Sequence, residues 1–267
     1  MSDRVLSLLS RIAPLGTGTL AHRELWTTLA HIDLKNRYRG SLLGPFWLTL
    51  ATGVLIGGIG LLYGGLFGHP LSLYLPYVAV SIVIWTFVAT TLTEASNLFL
   101  GEGIVLKQLP VPASLFTTRL IYRNILVLAH NAIIMVIVLA VFPQAWDWGL
   151  LTVPLGLGLL ILNLWWLSVV LSVVSARFRD IPPIVASLLQ ILFFLTPVIW
   201  RKEDLPNRAI LIDLNPLFHL IEIVRAPLVG GPVPTVSLVA CAVSAVLGTL
   251  FALHIRKWAE TRLVYWI

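Results

Sequence analysis

Six long apolar stretches dominate this sequence, at 44–68, 76–98, 121–142, 151–173, 182–199 and 235–255. A helix of about 20 apolar residues is long enough to cross the hydrocarbon core of a bilayer. Apolar residue types make up 58% of the chain and charged types only 11%, whereas about a quarter of an ordinary soluble domain is charged. We therefore predict an all-α membrane protein with six transmembrane helices.

The lysines and arginines are distributed unevenly over the connections between these stretches. Fourteen of the 18 lie before the first stretch, in the second-to-third and fourth-to-fifth connections, and after the sixth stretch. The other four share the fifth-to-sixth connection with four acidic residues. Because positive loops stay in the cytoplasm, we predict that both termini are cytoplasmic. The same bias accounts for the net charge of +6, so we expect no nucleic-acid partner.

Residues 1–43 are predicted to form a cytoplasmic N-terminal segment ahead of a transmembrane domain at 44–267. Within 20–39, apolar residues recur on one helical face: Leu25, Trp26, Leu29 and Ile32. This pattern predicts an amphipathic helix in the membrane interface, although a helix packed on a soluble partner would show it too. Three residues then anchor the entry to the bilayer: Arg37, Tyr38 and Arg39.

The first apolar stretch is rich in glycine. Gly60, Gly64 and Gly68 repeat every four residues and would share one helical face. Small residues at this spacing allow two membrane helices to approach closely. We therefore predict that this face packs against another helix.

The segment 200–233 is too apolar for a solvated loop and too short for two more crossings. An apolar helical stripe follows Asn215 and Pro216, which are typical of a helix start: Leu217, Leu220, Ile221, Val224 and Leu228. We predict two short re-entrant helices that cap a cavity as an outer gate. A surface helix that only seals the bundle is the alternative.

Enzyme chemistry has little support in the sequence. The polar residues within or near the stretches are Glu94, Asn97, His130, Asn131 and Asn163. Glu94 lies near the cytoplasmic end of the second stretch, within reach of water, Arg119 or Arg123. The asparagines and His130 suit hydrogen bonds between helices. No metalloprotease, CxxC or nucleophile-elbow motif is present.

None of the four lysines follows a glycine, so no phosphate-binding P-loop is present. We expect no cofactor in this chain; if transport is ATP-driven, a separate subunit binds ATP and Mg²⁺. A membrane-embedded enzyme that acts on lipid-linked sugars is the alternative, with Glu94 as its only intramembrane carboxylate.

The connection 100–120 has the features of a docking element. Gly101 to Gly103 open it, 104–109 are suited to a short helix, and Pro110 and Pro112 end it. A short rigid helix facing the cytoplasm would suit a partner protein, and a plain re-entry loop is the alternative.

Aromatic residues also lie deep in the stretches or on helices that would face a pore: Tyr63, Phe67, Tyr77, Trp85, Phe87, Phe193 and Phe194. Flat aromatic faces suit the apolar faces of sugar rings, and they suit helix packing equally well.

Several segments together resemble the permease subunits of ABC polysaccharide exporters, a group that includes O-antigen, capsule and teichoic acid export. The segments are DLKNRYRGSLLGPFW at 33–47, ARFRDI at 176–181, FFLTPVIW at 193–200, and LNPLFHLIE at 214–222 with Arg225. The resemblance extends from about residue 20 to the end of the chain.

This resemblance implies a homodimer bound to two copies of a separate ATPase subunit in the bacterial inner membrane. It implies an interface helix at 20–39 and a channel lined by the first and fifth spans. The cargo would be a lipid-linked polysaccharide of the O-antigen kind, with a drug or a lipid as the alternative.

The resemblance also implies roles for particular residues. Contact with the ATPase is implied for residues of two cytoplasmic connections: Glu102, Ile104, Leu106, Lys107, Leu109, Pro110, Arg177, Arg179 and Asp180. The outer gate is implied to include Asn215, Pro216, His219, Glu222 and Arg225.

Overall fold

The structure is a computed structural model that describes residues 23–37, 39, 46–108, 112–204, 209–260 and 262–267. Within these residues the chain forms eleven α-helices: α1 (Arg23–Arg37), α2 (Phe46–Phe67), α3 (Leu71–Gly101), α4 (Gly103–Gln108), α5 (Ala113–Val141), α6 (Val153–Arg177), α7 (Ile181–Leu195), α8 (Ala209–Asp213), α9 (Pro216–Leu228), α10 (Thr235–Ala259) and α11 (Leu263–Trp266). Short 3₁₀ turns precede α6 and follow α7. The described residues contain no β-strand, in agreement with the predicted all-α class.

Five helices are long and apolar enough to cross a membrane, namely α2, α3, α5, α6 and α10. They correspond to five of the six predicted stretches. The predicted fifth stretch, 182–199, contains only the 15 residues of α7. At 1.5 Å per residue such a helix is about 22 Å long, shorter than the ~30 Å hydrocarbon core. Length and apolar composition therefore identify five spans among the described residues, one fewer than predicted.

The early end of α7 has a local cause. Pro197 disfavours the helical conformation of the residue before it, and Thr196 is extended, with φ −93° and ψ 135°. The chain then continues without regular structure to a 3₁₀ turn at Lys202–Asp204. A count of apolar residues does not register this break, because Val198, Ile199 and Trp200 continue the apolar run.

Helix α3 is the centre of the molecule. It packs against α2, α5, α6, α7 and α9. Its residues from Tyr74 to Val88 are almost all buried, and Val78, Val80, Ile82 and Ile84 are inaccessible or nearly so. These side chains belong to one continuous apolar core that α3 shares with the helices around it.

The predicted glycine face of α2 packs within the chain. A Cβ on Gly60 would collide with the Leu75 side chain of α3, and one on Gly64 would come within 3.3 Å of Tyr74 Cδ1. By contrast, Gly57, Gly58 and Gly65 have nothing within 4 Å of that position. The prediction of close helix packing is confirmed for Gly60 and Gly64. It is wrong for Gly68, which follows the last residue of α2 and has nothing within 4 Å of its Cβ position.

Two further predictions concern the remaining helices. Helix α1 falls within the predicted interface helix at 20–39, and its apolar face packs on α5 of the same chain. The segment 200–233 does contain two short helices, α8 and α9.

The two kinds of glycine on α2 give a matched test of this packing. We expect Gly60→Val to lower the free energy of unfolding by about 1–3 kcal/mol relative to Gly65→Val, because only the first overpacks against α3. The measurement is the thermal unfolding midpoint of the purified protein in detergent. Equal midpoints for the two variants would contradict the packing assigned to Gly60.

Candidate functional site

The two ends of α3 contact different sets of elements, and we name the ends of the bundle after them. The last residue of α3 leads into α4, and we call this the α4 end. The first turns of α3 contact α9 and the segment that follows α7, and we call this the α9 end.

An ion-pair network occupies the α4 end. It consists of three carboxylates and three guanidinium groups: Asp33, Glu94, Glu102, Arg37, Arg119 and Arg123. These residues belong to α1, to the end of α3, and to the first turns of α5. We call this set the six-charge network.

Arg119 makes the most contacts in the network. Its Nε and Nη2 each donate to Asp33 at 2.6 Å, which is the two-pronged geometry preferred between guanidinium and carboxylate. Its Nη1 also lies 3.2 Å from Glu102 Oε1. One side chain of α5 thus binds α1 and the residue that separates α3 from α4.

Both carboxylate oxygens of Glu94 are occupied. Arg37 Nη2 donates to Oε1 at 2.6 Å, while Arg123 Nη2 and Asn124 Nδ2 donate to Oε2 at 2.7 and 3.0 Å. Contact with Arg123 was one of the options predicted from the sequence. A carboxylate held in this way joins three helices, and each of its oxygens accepts from at least one donor.

Five of the six side chains of the network are largely buried, whereas Arg37 keeps 43% of its surface. The side chains of Arg119, Asp33 and Glu102 keep 16%, 17% and 25% of their surface. Removing one partner from a largely buried pair costs about 3–5 kcal/mol, because the other charge is left uncompensated. We infer that α1, the end of α3 and the start of α5 move together rather than independently.

Beside this network lies an apolar cluster that seats α4. Its fully buried members come from five elements: Phe99, Phe116, Val173, Ala176, Ala259 and Leu263. Leu106 of α4 packs against it. Ile104 points the other way and is 74% exposed.

The turn between α6 and α7 lies at the same end. Arg177, Phe178, Arg179 and Asp180 are all exposed, and Phe178 keeps 58% of its surface. The Arg177 guanidinium lies 5.8 Å from the Trp266 ring centroid, and Trp266 packs on the apolar cluster that seats α4. The two loops predicted to meet an ATPase therefore lie on one end of the bundle.

Other predicted site residues are distributed as follows. Leu109, Pro110 and Tyr38 lie outside the described residues. Arg39 is exposed, and the Trp26 ring packs edge-on against Tyr122 of α5 at 5.2 Å.

The predicted channel aromatics divide by burial. Tyr77, Trp85 and Phe87 are buried inside the chain, and Tyr63 and Phe193 pack partly against the core. Phe67 and Phe194 are exposed. Both line an apolar groove of about 780 Å³ at the α9 end, together with Leu192, Leu195, Trp200, Leu211 and Leu214.

At the α9 end, Arg225 is 2% exposed and central to a second polar cluster. Its guanidinium carbon lies 4.2 Å from the Tyr77 ring centroid, and it binds Glu222, Ser81 Oγ and the Pro197 carbonyl. Burial alone would lower the pKa of this guanidinium, but Tyr77 and Glu222 hold the pKa above its ordinary value.

Tyrosine hydroxyls stabilise the irregular chain after α7. Tyr77 donates to the carbonyls of Pro197 and Trp200, each at 2.9 Å, and Tyr74 donates to that of Ile199. Irregular backbone at membrane depth needs internal partners of this kind.

The remaining predicted gate residues fix α9. The Asn215 side chain accepts from the Leu217 amide at 3.0 Å and donates to Thr196 Oγ1 at 2.8 Å. Pro216 is the first residue of α9, where its missing N–H is not needed. His219 contacts Ser237 Oγ and the Asp213 carbonyl, both at 2.8 Å.

Sequence reasoning missed two contributors to these clusters. Asp33 was not assigned a partner, and Tyr74 was not assigned a role. Arg119 and Arg123 are four apart, so the sequence does place them on one helical face. Nothing in the local pattern identifies Asp33, 86 residues away from Arg119, as their shared partner.

The described residues contain no group of three or more histidine, cysteine or acidic side chains suited to a metal ion. The molecule is a multi-helix membrane protein, and its two clusters of charged side chains lie at the two ends of the bundle. Residues 24–229 match the family described as ABC-2 type transporter, and the chain belongs to this family.

Two curated relatives are both named O-antigen export system permease protein RfbA. The chain is 24% identical to the one from Myxococcus xanthus over 208 residues, which cover 77% of this chain and 80% of the relative. It is 22% identical to the one from Klebsiella pneumoniae over 207 residues, which cover 74% and 77%. Family membership identifies a transporter subunit of the kind that associates with an ATP-binding subunit. The resemblance noted in the sequence motifs is confirmed.

Proposed function

We propose that this chain is the membrane subunit of an ATP-driven exporter that moves a lipid-linked polysaccharide, of the O-antigen kind, out of the cytoplasm. The family match carries this proposal, because it extends over 24–229, from α1 to the end of α9. The similarity to O-antigen export permeases over about three quarters of each chain supports the cargo class.

We propose six crossings of the inner membrane, with the α4 end in the cytoplasm. Fourteen of the 18 lysines and arginines belong to segments that would then be cytoplasmic. Residues 181–200 support a sixth crossing, because they begin beside the Arg177 turn and end against Tyr74 and Tyr77. A short helix and an irregular segment together would make this crossing.

The docking surface for the ATPase subunit is proposed to consist of α4 and the turn at 177–180. Apolar side chains exposed at a water-facing end are typical of a binding surface, and Ile104 and Phe178 are of this kind. The arginines and Asp180 around Phe178 would form a polar rim.

The six-charge network is proposed to transmit the movement of the ATPase. A push on α4 reaches Glu102, which is paired through Arg119 to Asp33 on α1. A displacement of the docking helix would therefore move α1 and α5 rather than be absorbed by the loop.

The groove lined by Phe67, Phe194 and Trp200 is proposed to face a second copy of the chain across a channel. It is apolar, exposed, and formed by the ends of α2 and α7. Aromatic faces would give a sugar chain many weak contacts that do not depend on its sequence. The α9 end would act as the outer gate, since Arg225 and the two tyrosines hold the segment after α7 over the end of the bundle.

Deletion and complementation test the function itself. Cells without this chain should retain the lipid-linked polysaccharide inside, and the wild-type chain should restore it at the cell surface, as measured by surface polysaccharide staining. A tagged wild-type chain should also co-purify with an ATPase. Unchanged surface polysaccharide after deletion, or purification without an ATPase, would contradict the proposal.

The docking surface is tested by Ile104→Asp. A charge at the centre of an apolar contact costs at least ~2 kcal/mol, so co-purification of the ATPase should fall about 30-fold. Trp148→Asp is the matched control, because Trp148 is 84% exposed at the opposite end. Equal ATPase recovery with both variants would exclude α4 from the docking surface.

The channel face is tested by Phe194→Ala. Loss of an exposed ring that contacts sugar should slow export about fivefold, since a ring–sugar contact is worth ~1 kcal/mol. Phe251→Ala on α10 removes a ring that is similarly exposed, 53% against 66%, and should leave export unchanged. The readout is the rate at which polysaccharide reaches the surface at equal amounts of membrane protein. A similar effect of both variants would argue that Phe194 faces lipid.

A further inference from the structure

Residues 263–267 lie against the proposed docking surface, and neither the predicted site nor the family match includes them. Helix α11 packs on α4 and on α6. Leu263 is buried in the apolar cluster that seats α4. This short segment therefore contacts both elements that lead into the two predicted docking loops.

Its contact with α4 is close and specific. Lys107 Nζ donates to the main-chain oxygen of Ile267 at 2.5 Å. Gly103 is buried beneath the same residue, and a Cβ there would collide with the Ile267 side chain. The absence of a side chain at 103 allows this close approach, since an added Cβ would require Ile267 to shift.

Its contact with the other loop runs through Trp266. The Arg177 guanidinium lies 5.8 Å from the Trp266 ring centroid, within the range of a cation–π contact. Trp258 of α10 supports the ring from another side, at 5.4 Å between centroids. Ile267 thus binds one docking loop, and Trp266, next to it in sequence, binds the other.

We propose that residues 263–267 are a positioning clamp, which holds α4 and the 177–180 turn in fixed register so that the ATPase subunit moves them as one unit. This inference rests on the proposed function, because it assigns a role within the docking surface. The clamp residues act through the two loops. Tyr265, which also belongs to the clamp, is 87% exposed.

Without the clamp, the two loops have separate supports. Helix α4 would remain tied through Glu102 to the six-charge network, while the 177–180 turn would still connect α6 and α7 without its contact to Trp266. An ATPase subunit would still bind, but movement of one loop would no longer be matched by the other. Loss of the clamp should therefore reduce export more than it reduces ATPase binding.

The contact between Ile267 and Gly103 gives a rescue experiment. We expect Gly103→Ala to reduce the export rate about fivefold, at normal membrane abundance and normal ATPase co-purification, because the added Cβ displaces Ile267. Adding Ile267→Ala should restore export, because it removes the colliding atoms. Gly101→Ala is the control, since nothing lies within 4 Å of its Cβ position.

Trp266→Ala is a second test, which leaves the contact between Ile267 and Gly103 unchanged. It should also reduce export with ATPase binding retained, whereas Trp266→Phe keeps a ring beside Arg177 and should export nearly as well as wild type. Normal export by Gly103→Ala or Trp266→Ala, or failure of Ile267→Ala to rescue, would overturn the clamp.

The same assays separate the clamp from the proposed function. If the wild-type chain and the clamp variants all bind an ATPase and export polysaccharide, the clamp proposal is wrong and the proposed function stands. A wild-type chain without an ATPase or without export would overturn both.

Discussion

The bond between Arg119 and Asp33 organises the α4 end of the molecule. It is two-pronged, with both distances at 2.6 Å, and it lies in a region with little access to water. Around it, Arg123 and Arg37 share Glu94, and Glu102 completes the set. Six charged side chains thus lie together in a chain that is only 11% charged. Each charge is compensated only while α1, α3 and α5 keep their relative positions, so these helix ends form one mechanical unit.

The opposite end solves a different physical problem. The chain after α7 leaves the helix at Thr196, and its carbonyls need donors that lipid cannot provide. Tyr74, Tyr77 and Arg225 provide them. The α4 end is held together by ion pairs, whereas the α9 end consists of short helices and irregular backbone. This arrangement suits an exporter that is pushed at the first end and opens at the second. The exposed apolar groove beside α7 lies at the α9 end as well.

Much of this fold could be predicted from residue patterns. Apolar length located five spans, and the four-residue glycine spacing located a packing face of α2. The sixth span was the exception, because apolar composition cannot register how Pro197 ends a helix. Motifs identified the family and led to a prediction of which loops contact a partner, but they left burial undetermined. Tyr77, Trp85 and Phe87 are buried inside the chain, and whether an aromatic residue faces a core or a groove depends on tertiary packing. Contacts across long sequence distances, such as Asp33 with Arg119, leave no local pattern to detect.

A double-mutant cycle on Asp33 and Arg119 tests most directly whether the six-charge network carries force. The quantity to measure is polysaccharide exported per ATP hydrolysed, for Asp33→Asn, Arg119→Gln and the two combined. If the pair transmits the motion, each single variant should lower this ratio about tenfold while hydrolysis continues. The double variant should then lose no more than either single variant. Multiplied losses in the double variant, or an unchanged ratio in the single variants, would contradict the claim that this pair transmits the motion of the ATPase.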